Sequence, residues 1–311
     1  MENASIANNK LCGVWIDILN PLQPDFNIDE KRLLAHLRNL SAKGFERFVL
    51  FGYAGEGASF TNDEKLSALK RVISEGVEPS NICLGVNTSA IVDAVTLINK
   101  AYEKGVKRFL VTPPIYYQPL VNESITDYFE NLLKRVGLAD WQLYIHQLGG
   151  AADAPEASLS ELYRSHSEIF CGIVDQDTHV NHTMDLVKSF AGQVLVIPTH
   201  EANIQILRPN TTISVMANLI PNVLKHVLEN QGVSQAIKIA GMKIRQPDER
   251  ISELQKIMTN YPSTAAMKLL LSQHYRQSEW GLVRPPQGKL GNDAKESLIK
   301  AFKSFNLTAD E

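Results

Sequence analysis

Eight short apolar runs, LCGVWIDIL, RFVLFG, NICLGVN, RFLVTP, WQLYIHQ, IFCGIVD, QVLVIP and TTISVMAN, restrict the fold of this chain more than any other feature. Nearly every one leads into a polar turn and then a segment of helical period. After the second run, TNDEKLSALKRVISEG opens with Thr61 and has Glu64 three residues on, the pattern of a capping box. Runs that are apolar throughout, with no alternation, belong to strands buried on both faces, which is the situation of a parallel sheet covered by crossover helices. Eight such units predict an α/β protein of the (β/α)8 TIM-barrel class. An open doubly wound sheet fits less well, because LNPLQPD after the first run has no glycine with which to form a phosphate loop.

From about Gly232 the strand signal stops and helical patterns continue through IAGMKIRQPDERISELQKIM, STAAMKLLLSQHY and NDAKESLIKAF. The expected division is a barrel over residues 1–231 and a C-terminal helical extension over 232–311, packed on the barrel or on a neighbouring subunit. With 31 basic and 34 acidic residues and no basic block, the chain lacks the electrostatic footprint of a nucleic-acid or anionic-membrane binder, so a small molecule is the expected partner. Cys12, Cys83 and Cys171 each lie in an apolar run and far apart, which predicts buried thiols in place of disulfides or a metal knuckle. MENASIANNK has no apolar core, and no apolar stretch is of membrane-spanning length, so a soluble cytoplasmic protein is expected.

A barrel of this class carries its active site at the C-terminal ends of its strands. Those positions are Asn20, the GYAGEG loop from Gly52, Asn87, PPIYY from Pro113, Tyr144 with His146, Val174 with Asp175 and Asp177, His200 with Glu201, and Ser214 to Asn218.

In this order the segments resemble the dihydrodipicolinate synthase and N-acetylneuraminate lyase family over nearly the whole chain. GYAGEGASFTNDEK is similar to that family's GTTGE and following helix, and VTPPIYYQP to its TPxYY. LYIHQ stands where it has LYNxP, CGIVD where it has GIKE, and ISVMANLIP where it has ISVxAN, before a closing GLVRPP. The resemblance implies that the GIK lysine, which forms a Schiff base with an oxo acid, is replaced here by Val174. No other lysine is expected at a strand end: all fall on outer helices, bottom loops or termini. The family's two carboxylate-orienting threonines correspond to Tyr53 and Ala54, and LGGAADAP supplies no counterpart of its substrate-gripping arginine.

Tyr144 matches the family's proton-shuttling tyrosine on the fifth strand, and Tyr116 or Tyr117 the one after the fourth. Tyr144, Tyr116 and His146 are therefore the candidate catalytic groups, each able to act as general acid or base. Gly52, Tyr53, Ala54, Gly55, Val174, Asp175, His200 and Ser214 are the candidate substrate contacts, the glycines turning backbone N–H groups toward a carboxylate. Glu56 is expected to brace loops. His146, Asp175, Asp177, His179, His200 and Glu201 would gather on one side of the mouth; two histidines and a carboxylate could hold a divalent metal, although the spacing carries no known metal signature and no metal or other cofactor is predicted.

The reading is then a family protein that is not a true dihydrodipicolinate synthase. It would act on a small oxo acid, hydroxy acid or sugar acid by lyase or hydratase chemistry without an imine. The alternative is an inactive member that binds a small carboxylate or has a structural or regulatory role. The resemblance also implies a homotetramer built from dimers, with tyrosines after the fourth strand near a neighbour's site.

Overall fold

A computed structural model of the protein describes residues 11–116, 121–150, 153–190, 192–229 and 246–307. Eight parallel strands form one sheet: β1 (Gly13–Asp17), β2 (Phe48–Leu50), β3 (Ile82–Val86), β4 (Arg108–Val111), β5 (Gln142–Gln147), β6 (Phe170–Asp175), β7 (Leu195–Pro198) and β8 (Thr211–Ser214). Their spatial order is β7-β6-β5-β4-β3-β2-β1-β8, so β1 pairs with β8 and the sheet curls into a nearly closed barrel. Between β7 and β8 the Thr212 hydroxyl donates to the Pro198 carbonyl at 2.8 Å. The expected barrel and its helical C-terminal part are both present.

Helices α1 (Glu30–Ala42), α2 (Asn62–Ser74), α3 (Ile91–Tyr102), α4 (Asn122–Val136), α5 (Glu156–His166), α6 (Val180–Ser189) and α7 (Glu201–Leu207) follow the first seven strands, and α8 (Pro221–Glu229) follows β8. Their period is legible in α4, where Ile125, Phe129, Leu132, Leu133 and Val136 form the buried stripe. Thr61 and Glu64 make the predicted capping box at the start of α2. One apolar cluster fills the space between strands and helices; a second, with Trp15, Val49, Cys83, Leu110, Tyr144, Cys171, Val174, Ile197 and Ile213, fills the barrel interior. The strands are thus buried on both faces, as their unbroken apolar character requires.

The extension contains α9 (Gln246–Met258), α10 (Ser263–Tyr275) and α11 (Asn292–Phe305). The expected boundary between 231 and 232 lies outside the described residues, as does Tyr117. Helix α10 is buried from Thr264 to Ser272, with Lys268 paired to Glu56 of the β2 loop at zero exposure for both side chains. Glu56 also accepts the Arg284 backbone N–H at 2.6 Å, so it does brace loops. Two sequence expectations need correction. Cys12 is exposed just before β1, since the strand begins only at Gly13, whereas Cys83 and Cys171 are buried. Lys65 and Lys268 do sit on helices but turn inward. The Lys65 ammonium donates to the Gly85 carbonyl and the Asn87 side chain, both at 3.3 Å, and burial pushes its pKa down to about 8.

Candidate functional site

The C-terminal ends of the strands open into a cavity of about 760 Å³. Leu110, Val174 and Ile213 line it from the barrel interior, together with Asp17, His146 and Glu201 as its buried polar groups. Tyr53 and Ala54 come from the β2 loop, Thr199 and His200 from the end of β7, and Met216 from the turn after β8. Helix α9 forms the roof with Ser252, Gln255 and Lys256. Lys256 is exposed, on the solvent side of the cavity. It alone among lysines and arginines of the described residues contributes to the lining.

Of the candidate residues, Tyr53, Ala54, His146, Val174 and His200 meet at this cavity. Tyr144 does not. Its hydroxyl accepts the Leu11 N–H and donates to Gln142, both at 3.0 Å, and these partners lie at the N-terminal end of the barrel. Burial raises its pKa far above the ordinary phenol value. The cause is height within the barrel: His146 pairs in register with Val174, whereas Tyr144 pairs with Gly172, one layer lower. A Cβ on Gly172 would lie 2.7 Å from the Tyr144 ring, so the glycine makes room for the phenol in the packed interior.

Tyr116 projects into solvent at 81% exposure, away from this chain's cavity. Asp175 turns toward α6, accepting from the Thr183 hydroxyl at 2.5 Å and pairing with His182 Nδ1 at 3.1 Å. Ser214 is buried and donates its hydroxyl to Glu201 at 2.8 Å. His179 pairs through its ring with Asp177 and lies at the surface. The conjectured set of His146, His200 and Asp175 is therefore not assembled, and no cluster of three or more His, Cys, Asp or Glu suited to a metal occurs among the described residues.

His146 is buried, and neither ring nitrogen is hydrogen-bonded among the described residues. Burial holds its pKa at about 4; the Gln176 side chain acts against that shift without reaching hydrogen-bond geometry. The imidazole is thus neutral across the physiological range and has a free acceptor and a free donor. His200 is likewise lowered by burial, with Asp177 opposing.

Asp17 is not among the residues expected from sequence, because the first apolar run extends to Asn20 whereas the strand ends at Asp17. It ends β1 at 7% exposure; Oδ2 accepts the Ala54 N–H at 3.0 Å and Oδ1 has no partner among the described residues. Burial raises its pKa from 3.8 to about 7, against the opposing pull of the Ala54 and Gly55 amides. Its backbone is fixed by Asn218, whose side-chain N–H donates to the Asp17 carbonyl at 2.8 Å and whose Oδ1 accepts from Nε2 of buried His36 at 2.9 Å. An acid closing an otherwise apolar strand was the available signal. Glu201, raised by burial, is held by Ser214 and by the Met216 N–H at 3.5 Å. Two carboxyl groups and a neutral imidazole thus line a cavity with aliphatic walls, in which burial favours their uncharged forms.

The comparisons agree with this architecture. A 2-dehydro-3-deoxy-phosphogluconate/2-dehydro-3-deoxy-6-phosphogalactonate aldolase of Saccharolobus solfataricus is 22% identical over 93% of this chain and 94% of its own length. Dihydrodipicolinate synthase from Agrobacterium tumefaciens superposes with a TM-score of 0.80 at 22% identity, covering 94% of this chain and 99% of that one. N-acetylneuraminate lyase from Fusobacterium nucleatum superposes at 0.77 with 18% identity, over 95% and 99% of the two chains. The model of the dihydrodipicolinate synthetase family matches residues 10–305, nearly the full length, and the chain belongs to that family.

Proposed function

We propose that this protein is a lyase-type enzyme that acts on a small hydroxylated oxo acid, hydroxy acid or sugar acid without forming a Schiff base. The observation that carries the reading is His146, buried and unpartnered in the cavity wall at the height of Val174. By the family resemblance, Val174 stands with only a hydrocarbon side chain at the position of the imine-forming lysine, which supports carbonyl activation by hydrogen bonding and proton transfer. Neutral His146 would take a proton from carbon or hydroxyl. Asp17, protonated in part near neutral pH, would give one to the oxygen that develops charge. Tyr144, fixed at the far end of the barrel, is left out of this scheme.

The aliphatic stretch of Leu110, Val174 and Ile213 favours the second reading, a binding protein without turnover. A screen of sugar acids and oxo acids for product formation separates the two. His146→Ala is expected to lower kcat/KM by about 10²–10⁴-fold on any substrate so found. Borohydride treatment with pyruvate should leave the intact mass unchanged; a stable adduct on a lysine, Lys256 included, would defeat the imine-free scheme. We also propose a cytoplasmic location and a homotetramer, the latter supported by the exposed Ile115, Tyr116 and Val121 around the fourth strand's loop.

A further inference from the structure

The loop Gly52–Gly57 offers few amides to the cavity. The Glu56 N–H is spent on the Tyr53 carbonyl at 3.1 Å and the Gly57 N–H on the Gly52 carbonyl at 3.0 Å. The Ala54 N–H points to Asp17 Oδ2, and the Gly55 amide also acts to lower the Asp17 pKa. Carboxyl and loop fit closely: a Cβ on Gly52 would lie 2.3 Å from Asp17 Oδ1 and 2.8 Å from its Cγ. The nest that could have held a ligand's carboxylate is thus filled by a carboxyl of the chain itself.

We propose that Asp17 permanently occupies this amide nest, so that the inner end of the cavity receives an uncharged hydroxyl-bearing segment, and any carboxylate of the ligand lies outward beside Lys256. The proposal rests on the reading above for the class of compound and reverses the orientation in which it would enter. Three observations support it. The buried Oδ1 of Asp17 has no partner among the described residues, and a hydroxyl that reached it would satisfy it in either state, donating to the carboxylate or accepting from the acid. Glu201 adds a second buried carboxyl to the lining, so a ligand anion placed inside would meet like charge or force both groups to stay protonated. Met216, Ile213 and Leu110 leave no cation there, whereas Lys256 supplies one at the roof.

The test is binding and needs no turnover. Pyruvate and gluconate are titrated into the intact protein while the Ala54 and Gly55 amides are followed by NMR and affinity by calorimetry. In the wild type, pyruvate should leave both amides unmoved. In Asp17→Ala, which vacates the nest, pyruvate should shift them and bind at least about tenfold more tightly than in wild type. Asp17→Asn, whose amide oxygen still accepts from Ala54, should gain nothing. Gluconate affinity should fall about tenfold in Lys256→Met. Pyruvate shifting the two amides in the wild type overturns the proposal whether or not the variants fold, and so does an Asp17→Ala protein that folds yet gains no pyruvate affinity. Failure to find any turnover would count against the proposed activity and leave these binding outcomes intact.

Discussion

Asp17 links the stability of the protein to pH in a way that one substitution can expose. Its folded pKa, about 7, lies above the ordinary 3.8, so between those values the folded state holds a proton that the unfolded chain has released. Stability from this group is complete below about pH 4 and is lost as pH rises through 7. Asp17→Asn should therefore become more stable relative to wild type between pH 4 and 8, by up to about 4 kcal/mol, read from urea unfolding at each pH. His36 and His146 act in the opposite sense: both have pKa values held near 4 against 6.5, so they cost stability as pH falls through that range. A neighbouring position gives an independent check. Gly52→Ala should cost about 1–3 kcal/mol in the wild type and much less in an Asp17→Ala background, because the overlapping atoms are those of the Asp17 carboxyl. How much of the site could be read in advance differs residue by residue. His146, Val174, His200 and the β2 loop were legible because a barrel places its chemistry at strand ends. Tyr144 misled because matching LYIHQ to LYNxP does not fix how high a residue stands in the barrel, and height is set by pairing with β6, whose register shifts beside Leu143 and Tyr144.

At the level of elements, the contact between the β2 loop and α10 is the most consequential. Lys268 and Glu56 are both fully buried, and Glu56 holds a left-handed conformation at φ 57 while also receiving the Arg284 N–H. Removing one charge leaves the other without a counter-ion in a dry setting. Lys268→Met should destabilise the fold by about 3–5 kcal/mol in urea titration, and Glu56→Gln with Lys268→Met should recover part of that loss. This role of α10 is not legible in the sequence, because a lysine in a helical pattern is by default a solvated one. Only the three-dimensional course of the extension brings position 268 against residue 56. By contrast the β/α alternation, the α2 capping box and the helical character of the extension were all legible, since each is a local pattern with a local cause.

For the whole molecule, the barrel could be read from sequence because double burial leaves an unmistakable run of apolar residues, whereas assembly leaves no comparable mark within one chain. We expect four chains in solution, measured by light scattering, with Ile115, Tyr116 and Val121 protected from solvent. Tyr116→Asp together with Val121→Asp should shift the population toward smaller species, and a strictly monomeric wild type would remove that expectation. Floor and roof of the cavity come from distant parts of the chain: strand ends below, and α9 with Ser252, Gln255 and Lys256 above. Exchange of the C-terminal segment between related proteins would therefore change the roof of the cavity while the buried polar groups at the strand ends stayed as they are, so that the two surfaces facing a ligand are free to diverge separately over evolutionary time.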